Sequence, residues 1–121
     1  MNHRPRVNLT RLIPNPNYYI TALDNEFKDV AFNEERASQN KGVWRSKVFT
    51  TAETTPLDLE VGTGNGNHFA HQAISNPNRC IVGFEIKYKP LIQTIRRALH
   101  GGAKNAAICR YHAHNVDEVF A

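Results

Sequence analysis

The chain has 121 residues, a net charge of +4, and 40% hydrophobic and 21% charged side chains. That length holds one domain with a modest core, and the composition is that of a globular chain, not a disordered or fibrous one. No apolar run approaches a membrane span and the start carries no secretory h-region; Cys80 and Cys109 both sit in apolar runs, so reduced, buried thiols in a cytoplasmic protein are expected in place of a disulfide. The positive charge suits an anionic partner without identifying it.

Residues 1–55 form a first region of weak periodicity. Residues 1–11 are polar and basic, with Arg4, Arg6 and Arg11, and are expected to be a disordered end or an RNA-facing arm. Residues 13–19 hold Pro14, Pro16, Tyr18 and Tyr19 and predict an extended segment. Between residues 24 and 40, Phe27, Val30 and Ala31 fall on one helical face, with Glu34, Glu35 and Arg36 beyond it, which predicts a helix. Lys41, Arg45 and Lys47 then surround Trp44, a pattern open to two readings, a nucleic-acid contact or a core anchor. A polar linker covers 50–55.

Residues 56–121 are far better patterned. Leu57, Leu59 and Val61 alternate with Asp58 and Glu60 after Pro56, predicting a short strand. Gly62, Gly64 and Gly66 follow as a turn whose backbone must come close to something. A helix is predicted from about 68 to 75, stopping before Asn76-Pro77-Asn78. Residues 80–85 form a buried strand, and 87–100 a second helix with Pro90 in its first turn and an apolar stripe of Leu91, Ile92, Ile95 and Leu99 that Gly101 ends. Residues 106–111 form a third strand, and a further helix is predicted to begin at Asn115.

The resulting order, an irregular or helical segment followed by β-α-β-α-β, is one mononucleotide-binding half of an open α/β sheet. The right-handed crossover rule sets the spatial order 3-2-1. The strand before the glycines then has a neighbour on one side only. Such an edge is a hazard, so either a partner covers it or the chain is the front half of a larger protein, and truncation is the expectation.

Spacing bears on the cofactor. A dinucleotide fingerprint begun at Gly62 would need glycine where Asn67 stands. Glu60 fits poorly beside a pyrophosphate, because like charges repel, but suits a ligand with a sulfonium and an α-ammonium group. Glu85, nineteen positions after Gly66, can accept hydrogen bonds from ribose hydroxyls. Gly62, Gly64, Gly66, Glu60 and Glu85 together point to S-adenosylmethionine.

The run Leu59-Glu60-Val61-Gly62-Thr63-Gly64-Asn65-Gly66 resembles the bacterial tRNA (guanine-N7-)-methyltransferases. So do Pro77, residues 81–86 (Ile-Val-Gly-Phe-Glu-Ile), Gly102-Ala103-Lys104-Asn105 and His114-Asn115. The likeness covers about residues 56–121 and weakens upstream to Lys41-Gly42, Trp44 and Phe49. It implies the N-terminal half of a Rossmann-like, class I S-adenosylmethionine-dependent methyltransferase fold, with Glu60 and Glu85 on the cofactor. A third contact, usually Asp, falls on Asn115, whose carbonyl can accept from the adenine amino group. The implied reaction is methyl transfer to N7 of a tRNA guanosine. The catalytic Asp of the family motif would lie beyond Ala121, so none is carried over.

Candidate phosphate contacts are Arg36, Lys41, Arg45, Lys47, Lys87, Lys89, Arg96 and Arg97. His68 and His71 on one helix, and His112 and His114 beyond the third strand, lack the thiol or acid needed to complete a metal site, so no metal is expected. Two alternatives stand beside the methyltransferase: an inactive cofactor- or partner-binding fragment, and half of an NAD-dependent oxidoreductase.

Overall fold

The computed structural model describes residues 4–121. Its centre is a four-stranded, all-parallel sheet in the spatial order β1-β4-β3-β2. The strands are β1 (Ala31–Phe32), β2 (Leu57–Val61), β3 (Cys80–Phe84) and β4 (Ala106–Cys109). Helix α3 (Asn67–Ser75) links β2 to β3, and α4 (Tyr88–His100) links β3 to β4. The predicted β-α-β-α-β unit is therefore present, with element ends within about two residues of those expected, the ordinary scatter of boundary assignment.

The sheet separates two layers of core. Ile81, Ala106 and Ile108 face Phe69, Ala73, Leu91, Ile92 and Ile95 on α3 and α4. Cys80, Val82, Phe84, Ala107 and Cys109 point the other way, onto Phe32, Trp44, Phe49, Tyr111 and Val119. Alternation along β3 and β4 thus buries both faces, as parallel strands require. Burial pushes the Cys109 thiol well up, and the Cys80 thiol up as well, so both behave as small apolar groups.

The N-terminal region departs from expectation. Residues 24–40 do not form one helix. Asn17 accepts from the Ile20 N–H and starts α1 (Tyr18–Asp24), so Tyr18 and Tyr19 are helical and not extended. Asn25 leaves the helix at φ −120°, ψ −82°. Residues 31–32 then pair with β4, the Ile108 and Arg110 N–H groups donating to the carbonyls of Val30 and Phe32. Asn33 caps the short helix α2 (Glu34–Ala37) by accepting from the Glu35 and Arg36 N–H groups. The spacing of Phe27, Val30 and Ala31 is met by a turn and a strand, because ladder pairing with β4 outweighs local periodicity.

Trp44 is a core anchor. It is 2% exposed, donates its indole N–H to the Val119 carbonyl at 2.9 Å, and meets Phe32 edge-on at 5.3 Å. It opens a π-helical turn (Trp44–Val48) that the Phe49 N–H closes onto its carbonyl.

Residues 1–3 of the basic arm lie outside the described residues, but residues 4–11 are packed. Arg4 pairs with Asp117 at 2.6 Å, Arg6 grips both oxygens of Glu118 at 2.5 and 2.7 Å, and Arg11 reaches Glu35 at 3.0 Å. The C-terminal segment that Arg4 and Arg6 hold is a 3-10 turn (Ala113–Glu118), where an α-helix was expected.

Candidate cofactor-binding site

The site forms where β2 ends. The Gly62 N–H still donates to the Phe84 carbonyl at 2.8 Å, one step past the strand, and the chain then turns through Gly62 (φ 70°), Gly64 (φ 58°) and Gly66 (φ 86°). All three lie in the left-handed region that only glycine enters cheaply. Their surroundings differ. A Cβ on Gly66 would stand 2.4 Å from the Thr94 Cα, so this glycine lets the start of α3 pack on α4. A Cβ on Gly62 or Gly64 would meet nothing within 4 Å. Those two backbones border open space.

Thr63 and Thr94 support the turn from below: their hydroxyls are 3.0 Å apart, and Thr94 Oγ1 also donates to the Gly64 carbonyl at 3.2 Å. Nothing in the sequence patterning pointed to Thr94, which sits among the apolar positions of α4 and is fully buried.

Glu85 follows β3 and is 9% exposed. Its Oε1 accepts from the Gly64 N–H at 3.0 Å and its Oε2 from the Lys87 N–H at 3.1 Å. The carboxylate thus clasps the glycine turn to the start of α4, and each oxygen keeps a lone pair for a further donor. Glu60 lies on the opposite face of β2 from Leu59 and Val61, and its Oε1 is 2.6 Å from His68 Nδ1 in the first turn of α3. Asp58, on the same face as Glu60, is engaged by Arg79 at 2.8 and 2.7 Å; that guanidinium holds its carboxyl below the usual range.

A cleft of about 190 Å³ runs between Val61 and Gly62, Glu85 and Ile86, and Tyr111 and His112. It lies at the carboxyl ends of the strands, where open α/β sheets bind ligands. The expected Gly62 and Glu85 therefore share one cleft. His112, given no role by the sequence patterning, lines it too; its Nδ1 accepts from the His114 N–H at 3.2 Å.

Asn115 does not line that cleft. It is 1% exposed, donates to the Pro5 carbonyl at 2.7 Å, and leaves its Oδ1 buried without a partner. It borders a neighbouring cavity of about 110 Å³ that shares Tyr111 and His112 with the cleft and is roofed by Arg6, Val7 and Leu9. A larger cavity of about 550 Å³, beside Thr51, Cys80 and Lys104, opens at the other end of the strands and contains none of these acids.

Of the eight cations expected to meet phosphate, four are spent within the protein. Arg36 donates to Asp24 and to the carbonyls of Lys28 and Ala31, Arg45 to the Thr55 carbonyl, Arg96 to the Tyr18 hydroxyl, and Arg97 to the Asn65 carbonyl. Among the described residues Lys41, Lys47, Lys87 and Lys89 have no carboxylate or carbonyl partner within hydrogen-bond reach, and Lys89 lies over the Tyr19 ring.

A parallel sheet, a glycine turn beside a cleft and an acid closing the next strand define an open α/β protein, the class of fold that places nucleotide-type ligands at this end of its strands. Residues 54–121 match the family model described as "Putative methyltransferase", and the chain belongs to that family. A tRNA (guanine-N(7)-)-methyltransferase of Bdellovibrio bacteriovorus is 59% identical over 100 residues, covering 83% of this chain and 48% of the relative. The enzyme of the same name from Bacillus licheniformis is 31% identical over 84 residues, 69% of this chain and 38% of the relative. A bifunctional glycosyltransferase/methyltransferase of Fusobacterium nucleatum is 25% identical over 107 residues, covering 88% of this chain and 16% of that protein. The chain spans about half, or less, of the length of the curated relatives it matches. The fold is accordingly the Rossmann-like α/β fold of class I methyltransferases.

Proposed function

We propose that these residues are the cofactor-holding half of a tRNA (guanine-N7-)-methyltransferase that uses S-adenosylmethionine. The observation that carries this is the open backbone of Gly62 and Gly64, with Glu85 bonded to the Gly64 N–H and Glu60 two residues before Gly62 at the end of β2. An adenosyl ligand with a cationic amino-acid end fits that set. The backbone can approach it at the glycines, Glu85 can accept from ribose hydroxyls, and Glu60 supplies negative charge to the ammonium and sulfonium. A pyrophosphate does not fit beside Glu60, which disfavours a dinucleotide. For Asn115 the proposed role is acceptor for the adenine amino group, supported by its buried Oδ1 without a donor.

S-adenosylmethionine, when bound, supplies an electrophilic methyl group on its sulfonium. Guanine N7 presents an in-plane lone pair, so no proton need be removed by a side chain before attack. The work left to this chain is orientation: the Glu85 clasp fixes the turn, the turn fixes the ligand, and a fixed methyl direction favours in-line transfer. No residue among these 121 is assigned the chemical step.

The anionic substrate would be met by cations not already spent, namely Lys41, Lys47, Lys87 and Lys89, with tRNA as the partner and the cytoplasm as the setting. Calorimetry with S-adenosylhomocysteine against NAD tests the cofactor. Tighter NAD binding would overturn the proposal. Incubating the chain with tRNA and labelled methyl donor tests transfer: label at guanine N7 would mean these residues suffice, and binding without transfer would mean that they hold cofactor only.

A further inference from the structure

We propose that His68 is the positioning residue for Glu60, setting that carboxylate to receive the cationic amino-acid end of the ligand. This rests on the cofactor reading above and adds the group that gives the acid its geometry.

No side chain of the sheet fixes the Glu60 carboxylate, although the side chain is only 18% exposed. Its neighbour on β3 is Gly83, which has no side chain, and among the described residues nothing pairs with the other edge of β2. A glutamate so placed would sacrifice rotamer freedom on gripping a cation. His68 supplies the missing brace. Its Nδ1 stands 2.6 Å from Glu60 Oε1, and because a carboxylate only accepts, Nδ1 carries the proton. The bond joins the strand before the glycine turn to the helix after it, so it closes the loop that holds Gly62, Gly64 and Gly66. Only one carboxylate oxygen is used; among the described residues Oε2 has no protein partner. That oxygen remains for the ligand. Arg79, a cation on this side of β2, is already committed to Asp58.

The test uses the 121-residue chain with two ligands, S-adenosylhomocysteine and 5′-methylthioadenosine, which lacks the amino-acid end. His68→Ala is expected to weaken S-adenosylhomocysteine binding by about five- to tenfold, the net value of one ordinary hydrogen bond at an exposed position, and to leave methylthioadenosine unchanged. His68→Asn keeps an N–H near the position of Nδ1 and is expected to restore most of the loss. Equal weakening of both ligands, or none for S-adenosylhomocysteine, overturns the proposal. In the ligand-free chain, nitrogen NMR of the His68 ring is expected to show Nδ1 protonated; the Nε2–H tautomer would overturn the brace whatever the chain binds. Wild-type chain that bound neither ligand would instead overturn the cofactor reading, and the role of His68 with it.

Discussion

Arg110 and Glu34, 76 residues apart in sequence, form a buried ion pair at 2.8 Å that ties the N-terminal region to the sheet. Their side chains are 7% and 6% exposed, and neither is left with idle polar atoms. Arg110 also donates to the carbonyls of Ile86 and Asn8 and to Asn8 Oδ1, and its guanidinium lies 4.2 Å over the Tyr88 ring. Glu34 accepts from the Thr10 N–H and hydroxyl. The carbonyl of Ile86 belongs to the segment that follows Glu85, so this network links the folded arm to one wall of the cleft.

Removing one partner of that pair strands a buried charge. Glu34→Ala is expected to destabilise the fold by about 3–5 kcal/mol, the range for breaking a buried pair from one side. Urea denaturation measures it. A loss under about 1 kcal/mol would mean that water replaces the lost contacts, as it does for exposed pairs.

The three glycines of the turn are expected to separate by mechanism. Gly64→Ala meets no neighbour, so its cost is the left-handed backbone alone, about 1–2 kcal/mol. Gly66→Ala adds collision with Thr94 and is expected to cost about 1–3 kcal/mol beyond that. Thermal melts of the two variants give the order. If Gly64→Ala proved the more damaging fold variant, the packing role of Gly66 would be wrong.

Glu85→Ala leaves the Gly64 and Lys87 N–H groups without their acceptor, at a cost of about 1–3 kcal/mol for the less well solvated one. Under the cofactor proposal, Glu85→Gln also weakens adenosyl ligands while sparing ligands without a ribose. Calorimetry that finds both kinds equally weakened would remove Glu85 from the ribose.

β2 is an edge strand whose Leu59 and Val61 remain 39% and 54% exposed on the Trp44 side of the sheet. An apolar edge templates pairing with other chains. Sedimentation of the isolated chain is therefore expected to show concentration-dependent association, and Leu59→Lys to reduce it with little change in stability. Association unaffected by Leu59→Lys would place the contact elsewhere.

Tyr111 donates its hydroxyl to Glu118 at 2.6 Å, and burial, reinforced by that carboxylate, pushes its pKa up to about 12. The neutral phenol is the form the fold favours. Its contribution is complete below the ordinary tyrosine value of about 10 and is lost as pH rises toward 12. Alkaline denaturation of wild type is expected to be steeper between those values than that of Tyr111→Phe. Identical slopes would mean that the phenol is exposed when it ionises.

The expectations that held are those carried by contiguous sequence. The alternation of residues 57–61, the glycine turn and Leu91, Ile92 and Ile95 of the α4 stripe are local, and local periodicity survives where the tertiary fold uses it; Leu99, the expected end of that stripe, is instead 36% exposed and Ala98 is buried beside it. Residues 31–32 were hidden because what makes them a strand is β4, more than 70 positions onward. The basic arm suggested disorder because Asp117 and Glu118, which neutralise it, lie over 100 positions away. Trp44 was ambiguous for the same reason: the Val119 carbonyl that accepts its N–H comes from the far end of the chain.

The strand, glycine turn and helix that carry Glu60, and the strand that leads into Glu85, were readable from the sequence alone, because such a unit places its residues by covalent geometry. The tertiary structure decided how those groups are held. The Glu85 carboxylate closes on the Gly64 N–H, the His68 ring braces Glu60, His112 enters the cleft and Asn115 sits behind it. Those relationships depend on the packing of α3 on α4 and on the path of residues 111–115 beneath the N-terminal arm. A hydrogen bond is decided within a few tenths of an ångström, and sequence spacing does not resolve positions that finely across separate elements.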